Sequence, residues 1–269
     1  MKILILTIIA ILFVQGSIYA QNDVNANMFS QHYKHKFYGG YANVPIKVSG
    51  YKNAVLNDYH KYPYATGGTY INFEKGNVSG SGKGFMIGYQ YMLGENHGPL
   101  AEYIGVKNGE DRGTIINFGY SYAFKPSHNL DVAIVPKYGL TSIDYDVGYI
   151  EDIGVMPIIT DSGTFYKGDT ISASASGSAI SVSFEANYDL SNVIYNLSVY
   201  AQIGYQISFF KKPRTTINGV YVTDEQAFDE GYVDGYTVYA TFDTNIDPFE
   251  DTKVSMGGLV FALGVSYRL

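Results

Sequence analysis

Five charged side chains stand out for where they fall: Glu74, Asp131, Lys137, Glu185 and Arg268. Each lies in a stretch where large apolar residues recur at every second position, and each sits on the opposite parity. Side chains alternate across a strand, so such charges would share the face away from the apolar one. A charge enclosed without a partner is costly, so pairing is expected. Lys137 and Glu185 fall on neighbouring stretches and are predicted to form an interior ion pair. Such a pair could serve a gate or a proton path. It could equally be a polar plug filling a lumen too narrow for a channel, and the plug is favoured.

Other candidates for chemistry are sparser. The histidines are His32, His35, His60, His97 and His128. His32 and His35 have metal-compatible spacing, but no third ligand is in view, and a metal site is not assigned. The stretch from Thr215 to Thr252 carries Asp224, Glu225, Asp229, Glu230, Asp234, Asp243, Asp247, Glu250 and Asp251 with no Lys or Arg. Asp243, Asn245 and Asp247 have the alternate spacing of a calcium loop, but Pro248 stands where such loops need a glycine turn. A solvated acidic loop is the preferred reading. No catalytic, cofactor or metal residue is assigned, and no cofactor is expected.

The elements that hold these residues are strands. Charged residues are 16% of the 269, below the roughly 25% usual in soluble domains. Aromatics are also 16%, with 27 Tyr, 15 Phe and no Trp, beside 30 Gly. That composition suits strands with aromatic faces and close backbone packing. The net charge of −7 argues against nucleic acid. With no cysteine there is no disulfide framework, thiolate metal site or lipidated cysteine.

The clearest strand closes the sequence. Leu259, Phe261, Leu263, Val265, Tyr267 and Leu269 alternate with Val260, Ala262, Gly264, Ser266 and Arg268. Similar alternation predicts strands from Phe37, over Tyr64 to Lys75, and at Phe85 to Leu93, Ile116 to Phe124, Leu130 to Leu140, Ile180 to Tyr188 and Tyr195 to Phe209. Pro136 is read as a bulge. Short connections are expected at Gly76 to Ser81, Lys125 to His128 and Leu190 to Asn192. Long ones are expected at Pro45 to Pro63, Gly94 to Arg112, Gly148 to Ser176 and Lys211 to Lys253. Long and short alternate along the whole chain.

That alternation, with an apolar face rich in Tyr and Phe near strand ends, predicts an all-β, closed, antiparallel up-and-down transmembrane barrel with long extracellular loops. Open edges would leave backbone groups unpaired in lipid, so the sheet must close. A soluble barrel would put its apolar residues inside and its polar residues outside; here the other face is Gly, Ser, Asn and Gln with scattered charges, which makes a poor soluble core and a normal barrel interior. Eight strands are expected. Ten are the alternative, if Asn218-Gly219 and the alternating Tyr236 to Phe242 mark two further spanning strands. Extensions above the membrane are preferred, because the arms are shorter than the roughly 9 to 11 residues a span needs.

Residues 1–20 read as a secretory signal peptide: Lys2, an apolar run from Ile3 to Val14, then Ser17-Ile18-Tyr19-Ala20 before Gln21. The run is too short for a spanning helix, and no later segment reaches 18 consecutive apolar residues. Residues 21–36 are expected to be a flexible N-terminal segment and 37–269 the barrel.

By this pattern the chain resembles the small outer-membrane β-barrel proteins of Gram-negative bacteria, the OmpA/OmpX-like group, with a Bacteroidetes-like character. The final strand is similar to the signal read by the barrel-assembly machinery, with Gly264, Val265, Tyr267 and Leu269 in its places. Leu269 departs from it, since the family usually ends in Phe. The resemblance implies export through the general secretory route, residence in the outer membrane, and partners in outer-membrane lipids, lipopolysaccharide and the assembly machinery. Some relatives modify lipid A with a His/Ser/Glu constellation, for which no Ser partner is placed here, so an enzyme is not expected. The expected role is a structural or surface-interaction scaffold displaying acidic extracellular loops. The alternative is a narrow, porin-like pore or a path for small hydrophobic solutes.

Overall fold

The computed structural model describes residues 34–49, 54–58, 68–72, 78–93, 96–152, 158–160, 163–190, 193–211, 213–221, 231–233, 236–238 and 253–269. Eight long strands form its body: β1 (His35–Ser49), β2 (Val78–Tyr91), β3 (His97–Asn108), β4 (Asp111–Ser127), β5 (Leu130–Asp152), β6 (Thr170–Asp189), β7 (Leu197–Phe210) and β8 (Gly258–Arg268). Each pairs antiparallel with the next, and β8 pairs back onto β1, so the sheet closes. Closure runs from Lys36↔Arg268 to Asn43↔Phe261, and Lys253–Met256 continues it beside the far end of β1. Both ends of the barrel sequence therefore lie at one rim, the turn end.

Side-chain parity explains why the wall stands. On β8, Leu259, Phe261, Leu263, Val265 and Tyr267 are exposed outward, while Val260, Ala262 and Ser266 are buried. On β5 the outward residues are Leu130, Val132, Ile134, Pro136, Tyr138 and Leu140, and then Ser142 and Asp144. The inward series is Asp131, Ala133, Val135, Lys137, Gly139 and Thr141, and then Ile143, Tyr145 and Val147. β6 shows the same change: Tyr188, Phe184, Val182 and Ile180 face out, followed by Ser178, Ser176, Ser174 and Ser172. Its inward face passes from Asn187, Glu185 and Ser183 to Ala179, Ala175, Ala173 and Ile171.

The barrel thus has two halves with opposite polarity. Toward the turn end the outside is apolar and the inside holds the buried charged and polar groups beside a small apolar cluster of Leu100, Ala133 and Val135. Toward the other end the inside is a hydrocarbon core, with Val44, Ile46, Val48, Ile104, Val106, Ile115, Ile143, Val147, Ile171 and Met256 in one cluster. The sequence reading of a Gly/Ser/Asn/Gln interior holds only for the first half.

Eight strands is right, but one of the eight predicted segments is not a wall strand, and one wall strand stands where a connection was predicted. Tyr64 to Lys75 is not a wall strand: Gly68–Asn72 pairs with Ala54–Asp58 and with the far end of β5, outside the ring. Gly94 to Arg112 is not a long connection, because it contains β3. Gly76 to Ser81 is not a turn, since β2 is already under way at Val78. The connections at the loop end span residues 50–77, 109–110, 153–169 and 211–252; those at the turn end span 92–96, 128–129 and 190–196. One loop-end connection is therefore only a two-residue turn, with Gly109 at φ 66°. Pro136 is not a bulge: the register against β6 runs unbroken through Val182↔Pro136.

The ten-strand alternative falls. Arg214–Ile217 and Val220–Tyr221 form a short hairpin about Asn218 (φ 48°) and Gly219 (φ 79°), and it pairs with the far end of β6. Both residues have the positive φ that such two-residue turns need. Gly231–Val233 and Tyr236–Val238 pair, among the described residues, only with each other. The N-terminal boundary also moves, because β1 begins at His35 and Lys36 is a buried wall residue rather than part of a flexible segment. The predicted signal peptide, His32, His60, Glu74 and the acidic residues of Thr215 to Thr252 lie outside the described residues.

Candidate functional site in the barrel interior

The polar half of the interior is built around two acids and two amines, one from each of four strands. β1 brings Lys36, β3 brings Glu102, β5 brings Lys137 and β6 brings Glu185. Lys137 Nζ lies 2.9 Å from Glu102 Oε2 and 3.5 Å from Glu185 Oε1. Lys36 Nζ lies 3.6 Å from Glu185 Oε2. The charges therefore run Glu102, Lys137, Glu185, Lys36 across the lumen and sum to zero. Both carboxylates are fully buried, and the Lys137 side chain is 1% exposed. Burial at that level requires the charge balance, because an isolated ion would be far costlier than a matched one.

Neutral groups complete the layer. Asn117 Nδ2 donates to Glu102 Oε1 at 2.9 Å, and the Tyr38 hydroxyl donates to Glu102 Oε2 at 3.3 Å. Tyr38 stacks on Tyr200 with ring centroids 4.9 Å apart, and Lys36 Nζ stands 5.2 and 5.3 Å from those two ring centroids. A cation held over aromatic faces is attracted by their quadrupoles. The Tyr200 hydroxyl donates to Gln202. Gly88 makes the Tyr38 position possible: a Cβ there would lie 2.1 Å from Cζ of the Tyr38 ring.

A second cluster closes the turn end. Arg268 on β8 forms an ion pair with Asp131 on β5, and Ser266 Oγ donates to Asn187 Oδ1 at 2.9 Å. Arg268 and Asp131 are partly exposed, so water shares this pair, unlike the layer above it.

Of the predicted interior charges, the structure brings Lys137 to Glu185 and Arg268 to Asp131, as two separate groups. Sequence reasoning missed Lys36, Tyr38, Glu102, Asn117 and Tyr200. The missing signal for Glu102 was present: Leu100, Glu102, Ile104 and Val106 alternate, with one carboxylate among three apolar residues of the same parity. It was hidden because the opposite face, Pro99, Ala101, Tyr103, Gly105 and Lys107, is too mixed to read as an apolar wall.

Two of the described histidines are hydrogen-bonded to tyrosines. His35 Nδ1 is hydrogen-bonded to the Tyr89 hydroxyl at 2.8 Å, and His97 Nδ1 to the Tyr120 hydroxyl at 2.6 Å. His128 lies in the turn between β4 and β5. Among the described residues no group of three or more potential ligands is placed to hold a metal. The C-terminal residues act as wall: Gly264 pairs with Gly40, Val265 with Gly39 and Tyr267 with Phe37, while Leu269 exchanges backbone hydrogen bonds with His35 at 2.8 and 3.0 Å.

These features define a class: a closed, eight-stranded, antiparallel up-and-down β-barrel with a plugged interior. No family model matches the sequence, and no curated protein matches it significantly. Solved structures similar to it include the attachment invasion locus protein Ail of Yersinia pestis, with 13% identity, TM-score 0.41, and 88% of this chain covering 99% of that one. Neisserial surface protein A is similar at 12% identity and TM-score 0.42, over 87% and 97% of the two chains. A major outer membrane protein from Thermus thermophilus is similar at 12% and 0.40, over 87% and 99%. The class rests on the strand order and closure described above, not on these distant likenesses.

Proposed function

We propose that this chain is an outer-membrane barrel whose role is to hold long loops at the cell surface, without catalysis and without a conducting lumen. One observation carries the reading: the stretch of wall that encloses the charge-balanced layer is apolar on its outer face. Leu130 to Leu140 mark the apolar stretch of β5. The ten steps between them at about 3.3 Å each, tilted by about 40°, give a band about 25 Å tall, which matches the apolar height of such barrels. Beyond it, the hydrocarbon core and the outward serines of β6 are what a barrel needs once it stands in water.

The signal-like N-terminus and the assembly-signal-like C-terminus support delivery through the secretory and barrel-assembly machineries. The narrower grouping with OmpA/OmpX-like barrels of Bacteroidetes is supported by the sequence resemblance alone. The rival role, a pore or a solute path, is disfavoured by the buried network of Lys36, Glu102, Lys137 and Glu185 and by the apolar layer above it.

Two measurements test the proposal. A single cysteine replacing Tyr166, in this cysteine-free chain, should react with a membrane-impermeant maleimide on intact cells. Labelling only after cell disruption would refute the orientation. The purified protein in a planar bilayer should give no stable open current; a steady ohmic conductance would overturn the plugged-scaffold reading in favour of transport.

A further inference from the structure

Three cations stand side by side on the outer wall just beyond the apolar band. Lys83 on β2 pairs in register with Lys107 on β3, and Lys107 pairs with Arg112 on β4. All three are exposed and of outward parity. Directly cross-strand side chains have Cβ atoms about 4.5–5.5 Å apart, and like charges so placed repel. No carboxylate among the described residues forms an ion pair with any of them. Asp144 follows Arg112 in the row and Asn43 precedes Lys83, so the positive stretch is bounded on both sides. Glu110 lies in the turn above it. In a chain of net charge −7, a self-repelling cationic row calls for an anion.

Its height says which kind. The next outward residues below are Phe85, Gly105 and Thr114, followed by Tyr103 and Ile116; Phe85 and Ile116 are exposed outward, and Phe85 packs on Tyr103 at 5.6 Å between centroids. Gly105 sits between Lys107 and Tyr103 on β3 and presents no side chain there. A ligand meeting both surfaces must carry negative charge on top and hydrocarbon beneath. Immediately above, β3 and β4 are joined by only Gly109 and Glu110, so no long β3–β4 loop covers the row. The other three loop-end connections are long.

We infer that Lys83, Lys107 and Arg112 form a docking site for the phosphate headgroup of an anionic lipid in the leaflet at the loop end of the barrel. The inference rests on the membrane reading above and adds a specific lipid contact to it. Arg112 can present a planar fork to phosphate oxygens, while the two lysines act as point charges.

The test uses the folded full chain in neutral detergent, titrated with phosphatidic acid, phosphatidylcholine or inorganic phosphate, with bound lipid counted by native mass spectrometry. Phosphatidic acid should be retained more tightly than phosphatidylcholine, and inorganic phosphate should not displace it. Lys83→Gln, Lys107→Gln and Arg112→Gln should each weaken phosphatidic acid binding by roughly fivefold, and the triple variant by about a hundredfold. Lys167→Gln, in the exposed segment before β6, should change nothing. A heat-modified gel band for each variant shows that its barrel is intact. A folded triple variant that binds phosphatidic acid like the parent, or full displacement by inorganic phosphate, would overturn the site while leaving the membrane reading standing. A parent that inserts into neither detergent nor bilayers would overturn both.

Discussion

Replacing Lys137 by Met is the most informative change to this barrel. The side chain is nearly isosteric and remains compatible with burial, so the substitution removes charge more than volume. At an effective dielectric of about 20, the contacts at 2.9 and 3.5 Å correspond to gross attractions of about 6 and 5 kcal/mol, most of which offsets desolvation. The loss therefore shows mainly as two buried carboxylates left with one amine, Lys36. Breaking a buried pair in this way costs about 3–5 kcal/mol. Glu102 keeps Asn117 and Tyr38 as donors, which places the expected cost toward the lower end. Adding Glu102→Gln should then recover part of the loss, because one acid and one amine remain in balance. The assay is urea unfolding from lipid vesicles, followed by far-ultraviolet circular dichroism and the heat-modified band, for parent, both single variants and the double. A coupling of about 2 kcal/mol or more between the sites is expected. An unchanged midpoint for Lys137→Met, or strict additivity in the cycle, would refute the charge-balanced plug.

Three further outcomes follow from the geometry. Gly88→Ala should cost about 1–3 kcal/mol in the same unfolding assay, because its Cβ would meet the Tyr38 ring; Gly109→Asn, at a turn with open space and positive φ, should be nearly neutral. Arg268→Ala should cost only about 1 kcal/mol and lose that effect in high salt, since its pair with Asp131 is partly exposed. Removing Tyr267 to Leu269 deletes the pairing of Tyr267 and Arg268 with β1 and both backbone bonds of Leu269 to His35; membrane-fraction blots should show no assembled barrel, and normal insertion would contradict the role assigned to that end.

The strands that sequence could show were those with one uniformly lipophilic face. β8 is the clearest, with Leu259, Phe261, Leu263, Val265 and Tyr267 on one parity. β3 was invisible by that rule because Pro99, Gly105 and Lys107 interrupt its outer face, while Leu100, Ile104 and Val106 point inward. Its omission was masked by Tyr64 to Lys75, whose alternation belongs to a hairpin attached to the tip of β5. The two errors cancelled in the strand count but displaced every connection between Pro45 and Arg112. The site suffered accordingly: Lys137 and Glu185 were readable from their own strands, whereas Glu102 depended on β3 and Lys36 on a longer β1.

The same pleat serves two solvents, and the point of exchange is defined residue by residue. On β5 it falls between Leu140 and Ser142 outside and between Thr141 and Ile143 inside; on the paired β6 it falls between Ile180 and Ser178 outside. Leu140 pairs with Ser178, so adjacent strands change over within one residue pair of each other. The charge network lies wholly on the turn-end side of that line. There the outside is apolar, water is furthest away, and charges must neutralise one another internally. On the loop-end side water can solvate the outer face, so the interior is free to be hydrocarbon. A polar plug and an apolar core are thus one alternating pattern meeting two surroundings, and the cationic row on β2, β3 and β4 stands just past the line, on the water side.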